Sequence, residues 1–164
     1  MNCYDVISRA VEFYKNRDKY IYFYGAKGQV LTDEVMDNLI NAEPNYFKNR
    51  YDKTAMEYIR KVSRGKIGYD CSGFVSAVIG VSNYSTGHYS DTVNKTTPVK
   101  GYGGNLLYTT HNGLGRHVGI DIGAGRFLEM RREGHSIELG NIKEADWEYS
   151  GSFKTVDYTL AHNR

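Results

Sequence analysis

The spacing of hydrophobic residues changes about halfway along this chain of 164 residues, and that change constrains the fold more than any other feature. Up to Arg64, apolar residues recur every three or four positions, which is typical of helices that bury one face. After Gly104 they alternate with polar residues or form short runs, which is typical of strands. Helices followed by consecutive strands predict an α+β fold, with N-terminal helices packed on a central antiparallel sheet.

The individual elements follow from these patterns and from their end signals. Helices are predicted over residues 5–17, after a Thr32 N-cap, and over residues 46–64. A short buried helix is expected to begin at Cys71 and to end at Gly80. Strands are predicted at residues 20–24, 106–108, 118–122, 126–130, 136–139 and within 152–160, and a polar loop at 82–104.

Composition excludes several classes of protein and predicts one domain over residues 1–164. The longest apolar run is far shorter than the ~20 residues of a membrane span, so no membrane insertion is expected. A net charge of +2 excludes a strongly basic nucleic-acid binder. No charged region followed by an apolar stretch precedes the first helix, so no secretory signal peptide is predicted. The 15 tyrosines either fill strands or line a polar groove.

Cys71 is the strongest candidate for a chemical role. The two cysteines, Cys3 and Cys71, are too few for a disulfide framework and fit no metal-ligand spacing, so both are expected to be free thiols. Cys71 follows Asp70 at the start of a predicted helix, where the helix dipole stabilises a thiolate and backbone N–H groups can bind an oxyanion. The small neighbours Ser72 and Gly73 leave room for a substrate carbonyl. Taken locally, the same pattern also fits a buried structural cysteine.

A nucleophilic thiol needs a base, and His117 is the best-placed of the five histidines. It begins a strand with strict alternation, and a strand fixes a side chain better than a loop does. His88 and His111 lie in polar, loop-like stretches, and His162 is close to the last residue of the sequence. A surface histidine at the start of a strand remains the alternative for His117.

Glu129 is the candidate for orienting His117 through its second ring nitrogen. If the hairpin has a three-residue loop that ends with a left-handed Gly125, Ile122 pairs with Arg126. That register places Glu129 on the same sheet face as His117, one diagonal away. A loop of two or four residues would move the carboxylate to the opposite face, where it would be a solvent-facing strand residue.

Together these residues resemble the NlpC family of papain-like cell-wall peptidases. Residues 70–75 match the family's Asp-Cys-Ser-Gly-Phe-Val motif, and residues 117–125 are similar to its His-Val-Gly-Ile-x-Ile-Gly-x-Gly strand and turn. Glu129 occupies the family's third polar position, twelve residues after the histidine, as in the phage and Gram-positive branch. The resemblance implies a papain-like cysteine peptidase fold with a triad of Cys71, His117 and Glu129.

The family also uses a tyrosine in a Tyr-x-x-Gly turn to help bind the oxyanion. Residues 22–25 fit this turn, which implies the role for Tyr22 and leaves Tyr24 as the alternative. In the family the turn lies shortly before the cysteine, whereas here 45 positions separate Gly25 from Asp70. We therefore expect a helical insertion of two helices, at about residues 26–67, beside the active-site groove.

The function implied by the resemblance is that of a cysteine endopeptidase acting on peptidoglycan stem peptides, near the D-glutamyl to diamino acid bond. Asp70 resembles the residue that caps the helix and meets a free substrate amine, and Ser72 is expected to bind substrate beside it. No cofactor or metal is implied. The enzyme would be made in the cytoplasm and would act on the wall after release or injection, as a phage endolysin or another cell-wall hydrolase.

Three alternatives remain open on sequence grounds. The first is an amidase or acyltransferase that uses the same scaffold and the same Cys71 and His117 on another bond. The second is a non-catalytic cell-wall-binding or phage tail protein that keeps only the fold. The third is a zinc site formed by Cys71, His111 and His117, whose spacing fits no established ligand pattern.

Overall fold

The structure is a computed structural model that describes residues 1–82, 85–86, 93–96 and 103–159. Most of the loop predicted at 82–104, together with His88 and His162, lies outside the described residues. The architecture is α+β, as predicted, with helices packed against a larger antiparallel sheet and a second, smaller sheet beside it. None of the helices in the described ranges has the length and hydrophobicity of a membrane-spanning segment.

The elements follow one another in the predicted order, helices first and most strands later. The helices are α1 (Cys3–Lys15), α2 (Asp33–Ala42), α3 (Pro44–Arg50), α4 (Lys53–Ser63) and α5 (Cys71–Ile79). The strands are β1 (Tyr20–Tyr22), β2 (Lys27–Val30), β3 (Ile67–Tyr69), β4 (Val93–Thr96), β5 (Leu106–His111), β6 (Leu114–Gly123), β7 (Arg126–Glu129), β8 (Glu138–Asn141) and β9 (Tyr149–Ser152).

The larger sheet forms the centre of the molecule. Its strand order is β4-β9-β5-β6-β7-β8, and every pairing is antiparallel. Helices α1 and α5 both pack on β6, which confirms the prediction of N-terminal helices on an antiparallel sheet. The core between these layers is built by fully buried side chains of all three elements, among them Val6, Phe74, Val118 and Ile120.

The helix predicted over residues 46–64 is wrong, because two helices occupy this stretch. Tyr51 has extended backbone angles and ends α3, which begins at Pro44. The Asp52 side chain then accepts the Ala55 N–H at 2.8 Å and caps α4. Amphipathic spacing continues across this break, so periodicity alone could not reveal it.

The hairpin between β6 and β7 has the predicted register but not the predicted loop. Ile120 pairs with Leu128, as the predicted register requires. At the tip, however, Gly123 rather than Ile122 pairs with Arg126, and the two residues between them have positive φ values of 53° and 71°. An irregularity in the strand pairing just before Gly123 absorbs one residue. The shorter turn shifts the strand register by one residue and the irregularity shifts it back. Glu129 therefore stays on the sheet face that carries His117.

The strand predicted within residues 152–160 is also wrong. β9 covers Tyr149–Ser152 and ends where that strand was expected to begin. It pairs with β5 on one side and β4 on the other, so its place is set by its sheet neighbours. After it the chain turns, and the Val156 N–H donates to the Phe153 carbonyl at 3.0 Å.

The smaller sheet has the order β1-β3-β2 and brings together residues that are distant in sequence. β1 runs parallel to β3, with Tyr22 opposite Tyr69, and β2 is antiparallel to β3. The chain between β2 and β3 leaves the sheet after Val30 and returns to it at Ile67. Its two ends are joined by a hydrogen bond in which the Leu31 N–H donates to the Lys66 carbonyl at 2.8 Å. The segment of residues 26–67 thus contains β2 and three helices, not two helices, around a hydrophobic cluster that it shares with Ile21 and Phe23.

Candidate active site

Cys71 is the first residue of α5, and the start of this helix is tightly fixed. The Asp70 carboxylate accepts the Gly73 N–H at 2.7 Å, which caps the helix as predicted. A side chain at Gly73 would lie 2.7 Å from the Ala26 carbonyl oxygen, so only glycine allows this close approach. The same Ala26 carbonyl accepts the Asp70 N–H at 2.9 Å. The turn at residues 22–25 therefore lies directly against the start of the helix, despite the 45 positions between them.

His117 and Glu129 form a hydrogen-bonded pair on the adjacent sheet. His117 Nε2 lies 2.6 Å from Glu129 Oε2, and only 16% and 7% of these side chains are exposed. Because Nε2 faces the carboxylate, Nδ1 is the ring nitrogen left to meet Cys71. Burial disfavours the imidazolium, but hydrogen bonds to Cys71 and Glu129 outweigh it and raise the pKa of His117 to about 9.

Trp147 supports the imidazole and was not foreseen from the sequence. Its indole ring lies nearly parallel to the His117 ring, with 5.3 Å between centroids and 12° between planes. A side chain at Gly119 would lie 3.0 Å from this indole, so the space expected beside the imidazole is taken by tryptophan. Phe127 packs edge-on against the indole from the neighbouring strand.

The predicted site residues line one open groove with a volume of about 820 Å³. Glu129 is the exception, since it lies behind His117 and does not line the groove. One wall comes from α5 and β6, and the other comes from the segment of residues 26–67 and the turn before it. The lining residues predicted from sequence are Tyr22, Tyr24, Asp70, Cys71, Ser72 and His117.

Tyr22 and Tyr24 both line the groove, but their surroundings differ. Tyr22 is almost fully buried on β1, and burial together with the nearby Cys71 raises its pKa, so the hydroxyl remains a proton donor. Burial also raises the pKa of Tyr24, followed by the charge of Glu43. The Tyr24 ring is stacked on Tyr46, with 3.8 Å between centroids. The charge of Cys71 raises the pKa of both tyrosines, so both lie near the thiol, and the stacking makes Tyr24 part of an aromatic wall.

Lys27 is the second site residue that sequence reasoning missed. Its ammonium lies 2.6 Å from Asp70 Oδ1 and 2.6 Å from Ser72 Oγ. Lys27 is the first residue of β2, and its pairing with Tyr69 on β3 explains how it reaches the start of α5. The carboxylate expected to meet a substrate amine therefore already holds an ammonium of the chain itself.

Within the described ranges, no three histidine, cysteine, aspartate or glutamate side chains are grouped to hold a metal ion. His111, which the zinc alternative would need, is exposed at the end of β5. Both cysteines are free thiols, as expected, with Cys3 buried and Cys71 partly exposed. The chemistry available in the groove is therefore that of a thiol, an imidazole and their carboxylate partner.

A thiol at the start of a buried helix, packed against an antiparallel sheet that carries an imidazole, defines the papain-like class of folds. The sequence model of the NlpC/P60 family matches residues 56–152, which is more than half of the chain. The protein belongs to the NlpC/P60 family. No curated protein matches the chain significantly by sequence.

Solved structures support the fold assignment. The NlpC/p60 domain of the peptidoglycan hydrolase SagA has a TM-score of 0.57 at 20% identity, over 93% of this chain and 100% of that domain. The peptidoglycan hydrolase RipB from Mycobacterium tuberculosis has a TM-score of 0.59 at 14% identity, over 96% of this chain and 68% of that one. The P60 domain of antigen MAP1204 from M. avium subspecies paratuberculosis has a TM-score of 0.54 at 13% identity, over 89% of this chain and 93% of that one.

Proposed function

We propose that this protein is a cysteine endopeptidase that hydrolyses peptidoglycan stem peptides, near the bond between the D-glutamyl residue and the diamino acid. The observation that carries the proposal is a thiol, Cys71, beside an imidazole, His117, that a buried carboxylate holds by a 2.6 Å hydrogen bond. Membership of the NlpC/P60 family and the similarity to two peptidoglycan hydrolases, SagA and RipB, support the substrate class.

In the starting state the proton of the Cys71–His117 pair lies on Nδ1 of His117, because the pKa of this imidazole is raised, and the sulfur attacks the peptide carbonyl carbon. The C–N bond then breaks, the imidazolium protonates the leaving amine, and an acyl thioester remains on the sulfur. Water next gives a proton to His117 and attacks the thioester carbonyl. The C–S bond breaks and the sulfur again faces the protonated His117, which completes the cycle.

Two groups are available to the oxyanion that forms in each attack. The Cys71 N–H belongs to the first turn of α5, whose N–H groups have no acceptor within a helix. The Tyr22 hydroxyl keeps its proton because its pKa is raised, and it would donate the second hydrogen bond. Glu129 is a positioning residue, because it touches His117 and not the substrate. Asp70, Ser72 and the Lys27 ammonium that they bind form the polar floor of the groove beside Cys71, and the substrate would lie against it.

The biological setting that we propose is the one suggested by the sequence. The enzyme would be made in the cytoplasm and reach the wall after release or injection, as a phage endolysin or another cell-wall hydrolase would.

Digestion of purified peptidoglycan tests the activity. Wild type should release fragments whose masses and new termini show a free amine on the diamino acid. Cys71→Ala should lower the rate by at least about 10³-fold, because it removes the nucleophile. The matched control is Cys3→Ala, which removes a buried thiol that does not line the groove and should remain active.

The same digestion separates the alternatives. Intact stem peptides released from intact glycan would show an amidase and contradict the endopeptidase. Binding of peptidoglycan without turnover, unchanged in Cys71→Ala, would show a wall-binding protein that keeps only the fold. Equal loss of activity in the Cys71 and Cys3 variants would contradict the assigned nucleophile.

A further inference from the structure

Lys27 occupies the polar floor of the groove in a way that the proposed reaction does not require. Its aliphatic chain crosses α5 at Gly73, where a Cβ would lie 3.2 Å from the lysine Cδ. Its ammonium then reaches both Asp70 and Ser72, at 2.6 Å each. The lysine side chain is 35% exposed and the aspartate 13%, and both line the groove, so the ion pair they form is part of its surface.

The charge of the Asp70 carboxylate is already balanced by an ammonium of the chain itself. One oxygen, Oδ1, accepts the Gly73 N–H, the Ser72 hydroxyl and the Lys27 ammonium. An ammonium of the substrate would have to displace Lys27 or lie beside it. Displacement breaks a charge-assisted hydrogen bond, and juxtaposition places two like charges together. Either way, a cationic group at this point of the groove is disfavoured.

A neutral acylated amine meets no such obstacle. An amide carbonyl is a hydrogen-bond acceptor, and the Lys27 ammonium, which donates to Asp70 and Ser72, has a third hydrogen left to donate. In intact peptidoglycan the amino terminus of the stem peptide is acylated by the lactyl group of the glycan. In a detached stem peptide the same terminus is a free ammonium.

We infer that Lys27 determines substrate specificity, so that the groove selects stem peptides with an acylated amino terminus over detached peptides with a free one. The inference rests on the proposed function and names the form of the substrate that the site accepts. It also corrects the expectation that Asp70 meets a free substrate amine.

Two synthetic stem peptides test the inference, L-Ala-γ-D-Glu-L-Lys-D-Ala and its N-acetyl derivative, together with the corresponding pair that contains meso-diaminopimelate. Wild type should cleave the acetylated peptide with a kcat/KM at least about tenfold higher, because like-charge juxtaposition penalises the free amine. Lys27→Met should reduce this ratio by about tenfold, mainly through a lower KM for the free-amine peptide. A wild-type ratio within about twofold of one would overturn the inference.

Further variants separate charge from folding. Lys27→Arg keeps a cation and should keep the preference, whereas Lys27→Gln removes the charge and should reduce it as Lys27→Met does. The matched control Lys53→Met removes an exposed lysine of α4 and should leave the ratio unchanged. An unchanged ratio in both neutral variants would also overturn the inference. If wild type cleaves neither these peptides nor peptidoglycan, the proposed function itself fails, which is a different result from cleavage without preference.

Discussion

The two walls of the groove are built in different ways. On one wall, Cys71 stands on a capped helix and His117 stands on a central strand, so regular hydrogen bonding fixes both side chains. On the other wall, Tyr46 and Arg50 come from the short helix α3. Tyr46 stacks on Tyr24, and the Arg50 guanidinium lies over the Tyr46 ring. The first wall is positioned by backbone pairing and the second by side-chain packing between distant segments.

This difference assigns different tasks to the two walls. Proton transfer requires reacting atoms held to a fraction of an ångström, which strands and capped helices provide. Recognition of the remaining substrate tolerates a surface made of aromatic and long charged side chains. Changes on the first wall should therefore lower kcat. Changes on the second wall should mainly alter KM and substrate preference, except at Tyr22, whose hydroxyl is the proposed oxyanion donor.

Glu129→Gln is expected to have the largest effect of the changes that leave the nucleophile in place. It should lower kcat/KM by at least about 10²-fold, because the imidazole loses the carboxylate that orients it and stabilises its charged form. With the pKa of His117 at about 9, wild-type activity should decline as the pH rises through that value. Without the carboxylate this pKa falls, so the alkaline limb of the pH–rate profile should move to lower pH.

Two controls keep this result specific. Glu138→Gln changes the residue paired with Glu129 on the next strand and should leave the alkaline limb in place.

Thermal denaturation gives an independent check, because the raised pKa of His117 stabilises the fold fully below about pH 6.5. That contribution is lost as the pH rises through about 9, so Tm should fall more steeply in wild type than in Glu129→Gln. Identical pH profiles for the two proteins would contradict the assigned role.

Tyr22→Phe should have the next largest effect, and Tyr24→Phe serves as its matched comparison. Loss of one oxyanion donor should lower kcat by about 10²-fold with little change in KM. Tyr24→Phe keeps the ring that stacks on Tyr46, and its effect should be several times smaller. Steady-state kinetics on one soluble peptide substrate decides between them. The reverse order would assign the oxyanion role to Tyr24.

The same contrast between walls explains what could be predicted from the sequence. The cap at Asp70 and the glycine that ends α5 are local signals within ten residues of Cys71. The contact between His117 and Glu129 was predicted from the alternation of side chains across a hairpin with an assumed register. The loop length was wrong, but the prediction held because the irregularity at the tip restored the register. Short-range rules were sufficient on this wall.

Trp147 and Lys27 could not be predicted in this way. The tryptophan stacks on a histidine thirty positions earlier, and the lysine reaches an aspartate 43 positions later. The first contact depends on how the segment before β9 packs on β6, and the second on how β2 packs against α5, which no local period encodes. The strands β2 and β3 were missed for the same reason, since each is only three or four residues long and takes its conformation from its partner.

The smallest effect is expected where the second wall is anchored to the rest of the molecule. Glu133 is a buried carboxylate. Its Oε2 accepts a hydrogen bond from the hydroxyl of Tyr51, the residue that follows α3, and Tyr46 of α3 also hydrogen bonds to it. Tyr51→Phe would leave this buried charge short of a donor and should lower the free energy of unfolding by about 1–3 kcal/mol, measured by urea denaturation. Tyr58→Phe, on the exposed face of α4, removes an equivalent hydroxyl and should change stability by less than about 0.5 kcal/mol.

Equal stability of the two variants would mean that the second wall is held by apolar packing alone. A loss of kcat as large as that of Glu129→Gln would mean that the walls are not separable, because disturbance of the anchor would then reach the reacting atoms.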